Sequence, residues 1–320
     1  MENFVKKPIL YLVVPCYNEQ EVLADTVFKL TTLFEDMCER EYISCESRML
    51  FVNDGSRDNT WAIIEDLYES NRFVCGLNLA ANVGHQNALF AGLMCAKNHA
   101  DIVVSIDADL QDDISVIPKM VAEYKNGSDV VYGVRNKRKT DTWFKRNTAL
   151  AFYHLMNALG VDTVYNHADF RLMSKRALFQ LEQYKERNLF LRGMIPLLGY
   201  QTSKVYYDRS ARLAGESKYP IRRMLNFAID GITSFSIKPV RMLMIVGIAF
   251  VLIALVFSVW VLVALLNHKT VHGWASLMIS LWFIGGSMLM GMGVIGEYIG
   301  KMYMEVKSRP RYNVESRLMK

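Results

Sequence analysis

Asp107-Ala108-Asp109 is the strongest chemical signal in the sequence. It follows the apolar run Ile102–Ile106, where strand pairing gives out and two carboxylates can converge from a turning chain. Hard oxygen ligands suit Mg²⁺ or Mn²⁺, and such ions usually bridge one or two carboxylates to substrate phosphates. An ion held there would offset the negative charge that builds on a departing diphosphate. The same D-x-D spacing also caps helices, so these two residues alone leave a structural role open. Two more polar clusters follow apolar runs in the same way: Tyr17-Asn18-Glu19 and Asn53-Asp54-Gly55-Ser56. A third pattern, Gly291-x-Gly293-x-x-Gly296, spells a dinucleotide fingerprint but follows no strand and lies in an apolar stretch, so the required context is missing. Its small residues, with Gly300, suit close approach of helices instead.

The elements that must position the carboxylates are legible as an alternation. Ile9–Val14, Met49–Val52, Ile102–Ile106 and Val130–Val134 read as buried strands, with Leu77–Leu79 as a further short one. Helix-period apolar positions occupy Glu19–Arg40, Thr60–Asn71, Gly84–Asn98 and Ile114–Asn126. Strand–helix alternation predicts an α/β fold, a mostly parallel sheet with helices on both faces. Ligands of such sheets sit beyond the carboxyl ends of the strands, where all three polar clusters fall.

The chain has 320 residues, 52% hydrophobic and 22% charged, with net charge +5, which excludes a disordered protein. Its charge is unevenly spread. Between Met242 and Gly296 the only charged residue is Lys269, and the uncharged runs Met242–Leu266 and Gly273–Gly296 each exceed the roughly 20 residues that a membrane-spanning helix needs. Arg222, Arg223, Lys238 and Arg241 precede the first run, and Lys301, Lys307, Arg309 and Arg311 follow the second. The positive-inside rule then puts both ends in the cytoplasm. Ile221, Met224, Leu225, Ala228, Ile229 and Ile232 line one face of a helix with Arg222, Arg223, Asn226 and Asp230 opposite, a pattern that suits either a headgroup-level helix or a domain-packing one. The expected organisation is a cytoplasmic catalytic domain over 1–220, an interfacial region over 221–237, two membrane helices within 238–300, and a basic cytoplasmic tail over 301–320. The basic residues cluster near the spans, which favours anionic lipid over nucleic acid as a partner. Five scattered cysteines without metal-ligand spacing read as reduced cytosolic thiols.

Six ordered motifs then carry a resemblance over nearly the whole chain: Asp107-Ala-Asp109-Leu-Gln111-Asp112, Asn82-x-Gly84-x-x-x-Ala88, Asp169-Phe170-Arg171-Leu-Met-Ser174, Glu186-Arg187-Asn188-Leu-Phe190, Gly215-Glu-Ser217-Lys218-Tyr219 and Gly296-Glu297-Tyr298-Ile-Gly300. Together with the clusters at Pro15–Glu19 and Asn53–Thr60, they resemble family-2 glycosyltransferases of the nucleotide-diphospho-sugar (GT-A) fold. The resemblance is tightest to polyisoprenyl-phosphate glycosyltransferases, the group that includes dolichyl-phosphate-mannose synthases and bactoprenol glucosyltransferases. It implies that Pro15, Tyr17 and Glu19 bind the nucleotide, that Asp54 lies against the base, and that Asp107, Asp109 and Gln111 organise Mg²⁺ or Mn²⁺ and the diphosphate. It implies further that Arg135 and Lys218 meet phosphate, with Arg146 as a second phosphate arginine. Asp169 occupies the position of a base or acceptor-site carboxylate. Arg222 and Arg223 would bind acceptor phosphate or anchor their helix to headgroups. Asn53 stands where many relatives have Asp, which leaves Asp54 as the one carboxylate of that motif. His85 reads as a helix-start residue that could also touch substrate.

The implied reaction is transfer of a sugar, glucose first, from a UDP-sugar to undecaprenyl phosphate at the cytoplasmic membrane face, with inversion. N-acetylglucosamine is the alternative sugar, and an inactive scaffold for a flippase or another transferase is the alternative class. A homo-oligomer, a tetramer by family resemblance, is the expected assembly. The acceptor monoester has a second pKa of about 6, by analogy with phosphorylated side chains, so it needs little help from a base. The demanding tasks are joining two polyanions and stabilising the departing diphosphate. Asp169 therefore serves either as base or as a group that orients the acceptor or its cationic neighbours. Processive polysaccharide synthases, marked by Gln-x-x-Arg-Trp, are set aside, because Gln183-Tyr-Lys-Glu-Arg187 has other spacing and no tryptophan.

Overall fold

The computed structural model describes residues 7–136, 167–187, 189–208 and 273–320, with separate helical positions between 240 and 260. The chain divides into two compact units, one of Met1–Leu150, Thr163–Lys218 and Arg309–Lys320, the other of Ala151–Asp162 and Tyr219–Ser308.

The first unit is built on an eight-stranded sheet. Its strands are β1 (Leu10–Cys16), β2 (Arg48–Asn53), β3 (Val74–Leu79), β4 (Ile102–Ser105), β5 (Val130–Arg135), β6 (His167–Ser174), β7 (Thr202–Tyr207) and β8 (Val314–Leu318). The order is β7-β5-β6-β4-β1-β2-β3-β8. Pairings β1–β2, β1–β4, β2–β3 and β5–β7 are parallel, whereas β6 and β8 run antiparallel to their neighbours. Runs such as Leu10–Val14 are buried throughout because both faces of the sheet are covered, which explains their continuous rather than alternating hydrophobicity.

Helices α1 (Leu23–Glu39), α2 (Thr60–Ser70), α3 (His85–Ala96), α4 (Ile117–Lys125), α5 (Lys175–Glu182) and α6 (Leu191–Leu197) cover it. Leu23, Val27, Leu30, Phe34 and Met37 recur at helical spacing and form the buried stripe of α1. In α3 every residue from Ala88 to Met94 is buried. Gly92 allows that helix to lie against the sheet: a Cβ there would sit 2.7 Å from Val52 Cγ2 and closer still to Val13 Cγ1.

The expected strands and helices are present with boundaries shifted by a few residues, and the sheet is mostly parallel. The difference lies at the carboxyl end. The expected basic tail over 301–320 contains β8, which pairs with β3 in the register Gly76↔Leu318 to Leu79↔Val314. Val314, Ser316 and Leu318 are half-buried while Glu315 and Arg317 are exposed, the period-two pattern of an edge strand.

In the second unit, α7 (Trp274–Lys307) has 34 residues, beginning one residue after the expected span starts and running past Gly296 to Lys307. Among the described residues it contains one stretch long and apolar enough to cross a membrane, Phe283–Lys307. The first expected span lies mostly outside the described residues; positions 245–249 are helical, with Ile245, Val246 and Ile248 exposed. The expected interfacial region over 221–237 lies outside them entirely. All five cysteines are free.

Candidate active site

The sheet reverses direction of growth between β1 and β4, because the chain adds β2 and β3 on one side of β1 before returning to place β4 on the other. Such a switch point leaves a crevice beyond the strand ends. β4 stops after Val13↔Ser105, with one further bond from Ile106 N to Val13 O at 3.1 Å, while β1 continues to Cys16 beside Asn53. Pro15 thus lies beyond the end of β4, where its missing N–H costs no ladder bond on that side.

The loops at this crevice are tied to one another. Thr26 Oγ1 donates to Ala108 O at 2.7 Å, so α1 holds the Asp107–Asp109 turn. Leu110 takes a left-handed conformation, and Asp109 accepts from the backbone N of Gln111 at 3.4 Å and from its side-chain Nε2. Gln111 is itself buried, so it orients Asp109 from behind. In the first loop, Asn18 Oδ1 accepts from Arg57 N at 2.9 Å and Asn18 N donates to Ser56 Oγ at 3.0 Å, while Glu19 N donates to Thr60 Oγ1 at 2.9 Å. Tyr17 is left 43% exposed at the mouth. Gly55 has φ +60, and a Cβ there would lie 2.5 Å from Asn82 N and 2.6 Å from Ala81 C. Gly55→Ala is therefore expected to destabilise the domain by about 2–3 kcal/mol, read as a lower denaturation midpoint. An unchanged midpoint would show that the loop can relax.

Asp54 is buried, and its two oxygens accept from Val83 N at 2.7 Å and Gly84 N at 3.0 Å. The structure thus places it as the brace of the turn that launches α3. Asn53 Nδ2 donates to Asn78 Oδ1 at 2.7 Å, and Asn78 Nδ2 to Glu315 Oε2 at 2.9 Å, an amide chain that reaches from the site loop to β8. His85, the first residue of α3, faces the carboxylates: its Nε2 is 3.7 Å from Asp107 Oδ1 and 3.6 Å from Asp169 Oδ2.

Among the described residues, Asp169 is the carboxylate that accepts the most hydrogen bonds. Arg192 grips it with Nε to Oδ1 and Nη2 to Oδ2, both at 3.1 Å. Arg171 Nη2 donates to Oδ1 as well, and Gln86 Nε2 to Oδ2 at 3.3 Å. Burial alone would raise this carboxyl, but His85, Arg192 and Arg171 outweigh it and hold its pKa well below the ordinary carboxylate range. The opposite holds across the crevice. Burial raises Asp107, and the carboxylates of Asp169, Asp112 and Asp109 add to that against the opposing pull of His85. Glu19 is raised by burial and then by Asp109 and Asp107. Arg135, expected to meet phosphate, donates through Nε and Nη2 to Asp112 at 3.2 and 3.0 Å and through Nε to Tyr207 Oη at 3.3 Å. Arg146, Lys218 and Arg222 lie outside the described residues.

The family model described as glycosyl transferase family 2 matches residues 11–181, from β1 into α5. The chain belongs to that family. It is 53% identical over 97% of its length to the uncharacterized glycosyltransferase YkoT of Bacillus subtilis (strain 168), covering 92% of that protein. It is 40% identical over 96% of its length to the bactoprenol glucosyl transferase of Shigella phage SfX, covering 98% of it. Among solved structures, a mannosyltransferase from Pyrobaculum calidifontis in complex with GDP-Man and Mn²⁺ covers 95% of this chain, and the chain covers 86% of it, at TM-score 0.48 and 14% identity.

A divalent cation fits the donor set of this glycosyltransferase. Asp107 and Asp109 offer hard oxygens, and neighbouring carboxylates raise the pKa of Asp107 and Glu19, a crowding that a cation would relieve. Among the described residues no third His, Cys, Asp or Glu completes a closed cage. Sequence reasoning passed over Gln86, Arg192 and Tyr207. No spacing marks them, since they reach the site from α3, α6 and β7 only once the sheet has formed.

Proposed function

We propose that this glycosyltransferase moves a sugar, glucose in the first reading, from a UDP-sugar to undecaprenyl phosphate in a single displacement. An oxygen of the lipid phosphate attacks the anomeric carbon as the bond to the UDP oxygen breaks, which inverts that carbon. The observation that carries the reading is the Asp107–Asp109 turn, held beyond the end of β4 at the switch point by Thr26 and Gln111. The bactoprenol glucosyl transferases at 40% identity support glucose as the sugar and a bactoprenol acceptor.

Asp107 and Asp109 would hold Mg²⁺ or Mn²⁺, whose charge offsets that of the departing diphosphate. Gln111 keeps Asp109 aimed. Pro15, Tyr17 and Glu19 line the nucleotide side, and Asp54 fixes the turn that presents His85. Arg135, held by Asp112 and Tyr207 at the end of β5, would meet phosphate. The acceptor is largely dianionic at neutral pH, so no proton need be removed from it. Residues 1–220 form the catalytic domain in this reading, 221–237 lie at the headgroups, and two helices within 238–300 anchor the protein with both termini cytoplasmic. The polyprenyl tail then stays in the bilayer while a soluble donor enters from the cytoplasm.

The test uses the purified full chain in detergent with undecaprenyl phosphate, a panel of UDP-sugars and Mg²⁺ or Mn²⁺, with mass spectrometry of the lipid. A glucosyl-lipid is expected, and chelation with EDTA is expected to lower its formation at least about 100-fold. An N-acetylglucosaminyl-lipid would keep the chemistry and change the donor. No lipid-linked product from any donor, with UDP binding intact, would overturn the reading in favour of a scaffold.

A further inference from the structure

His85 opens α3, and the chain on both sides of it is pinned. Asp54 accepts from Val83 N and Gly84 N, and Asn87 Nδ2 donates to Val83 O at 2.8 Å. Gln86 ties two further elements to the same turn. Its Nε2 donates to Asp169 Oδ2 at 3.3 Å, and its Oε1 accepts from Leu191 N at 3.2 Å. A side chain mounted between such anchors keeps its direction, which discrimination between similar ligands requires.

The imidazole faces the crevice. Its Nε2 is 3.7 Å from Asp107 Oδ1 and 3.6 Å from Asp169 Oδ2, and both distances are longer than a hydrogen bond. Two carboxylates facing one ring nitrogen favour the proton on that nitrogen, yet neither takes it directly. A hydroxyl oxygen about 2.8 Å from each end can bridge a gap of this width, accepting from Nε2 and donating to a carboxylate. Exposure marks the open side. The side chains of His85 and Asp107 are 44% and 45% exposed, whereas that of Asp169 is 9% exposed and backs the ring.

A nucleotide sugar carries its hydroxyls directly beyond the diphosphate. A diphosphate bound at Asp107 and Asp109 therefore brings those hydroxyls to His85. While ionised, Asp107, Asp109 and Glu19 can only accept hydrogen bonds, and His85 supplies a donor beside them. We propose that His85 is a specificity-determining residue that hydrogen-bonds one hydroxyl of the donor sugar. This rests on the glycosyl-transfer reading above. The ribose of UDP offers the same chemistry, and binding of UDP alone separates the two sources.

His85→Ala and His85→Gln are compared with the wild type as full chains in detergent, with Mn²⁺ and undecaprenyl phosphate. The donors are UDP-glucose and the four analogues that each lack one glucose hydroxyl, and binding of UDP and of UDP-glucose is measured directly. The wild type is expected to lose about 10- to 100-fold in kcat/KM on the analogue whose missing hydroxyl meets His85. His85→Ala should lose a similar factor on UDP-glucose, lose little more on that analogue, and bind UDP as the wild type does. His85→Gln keeps a donor and should recover part of the loss. An equal loss on all five donors would overturn the proposal and leave His85 as a brace between loops. Weaker binding of UDP alone would overturn it in favour of a ribose contact, and unchanged kinetics would overturn it outright. If His85→Ala does not fold, His85→Gln and the wild-type analogue series carry the same comparison. Should the wild type transfer N-acetylglucosamine instead, the same series is made on that sugar. A wild type that transfers no sugar from any donor would sink the transfer reading itself.

Discussion

Asp109→Asn is expected to lower kcat by about 100- to 1,000-fold while leaving the protein folded. The side chain is exposed, and its contacts are local ones to Gln111. Asparagine keeps an oxygen for one of those two bonds, and the Gln111 amide can turn to accept from its new Nδ2, so stability should change by no more than about 0.5 kcal/mol, the ordinary range for surface sites. What disappears is one of two charges that would hold the cation and, through it, the leaving diphosphate. The missing negative charge also removes a cause of the raised Glu19 pKa. Turnover in buffer with excess Mn²⁺ and Mg²⁺, alongside thermal melting, checks both halves. Wild-type turnover in the variant would show that the D-x-D turn is a structural cap.

Truncation after Ser308 is expected to cost the catalytic unit about 4 kcal/mol or more. It removes β8 and the ladder to Gly76, Leu77, Asn78 and Leu79, at roughly 1 kcal/mol per lost backbone bond. Other ties go with it: Tyr68 Oη to Met319 O at 3.0 Å, Lys320 Nζ to Asn71 O at 3.0 Å, and the Arg311 guanidinium 4.4 Å over the Phe90 ring. Leu77 and Leu79, now 1% exposed, would lie in an open edge strand. For a unit of this size the melting temperature should fall on the order of 10 °C, with aggregation on concentration. A melting temperature equal to that of the full chain would show that β8 is peripheral.

The sequence revealed the interior of the sheet because β1 to β5 are short, apolar and separated by amphipathic helices, so period and length identify them. It revealed the carboxylate side of the site because Asp107 and Asp109 follow a strand directly. It did not show β6 to β8. His167–Ser174 reads His-Ala-Asp-Phe-Arg-Leu-Met-Ser, with charges where a strand pattern expects apolar residues. Those charges are tolerated because Asp169 and Arg171 pair with each other inside the fold. The alternation in β8 was present but short, next to a basic stretch that looked like solvent-facing tail. Arg192 and Gln86 were invisible for a different reason: each acquires meaning only from a partner more than twenty residues away.

The pairing of β3 with β8 also sets an order of events during biosynthesis. Asn78 and Glu315 are 237 residues apart, and the membrane-apolar helix α7 is made between them. At typical elongation rates, the outer edge of β3 waits on the order of 10–50 s for its partner to leave the ribosome. During that interval the outer edge of the nascent sheet, Val74 to Leu79, is unpaired while the following segments are synthesised. The catalytic sheet of this glycosyltransferase therefore cannot mature before the apolar helix α7 has been synthesised. Chaperone capture of the waiting edge, or a slow insertion step, would directly set how much enzyme becomes active.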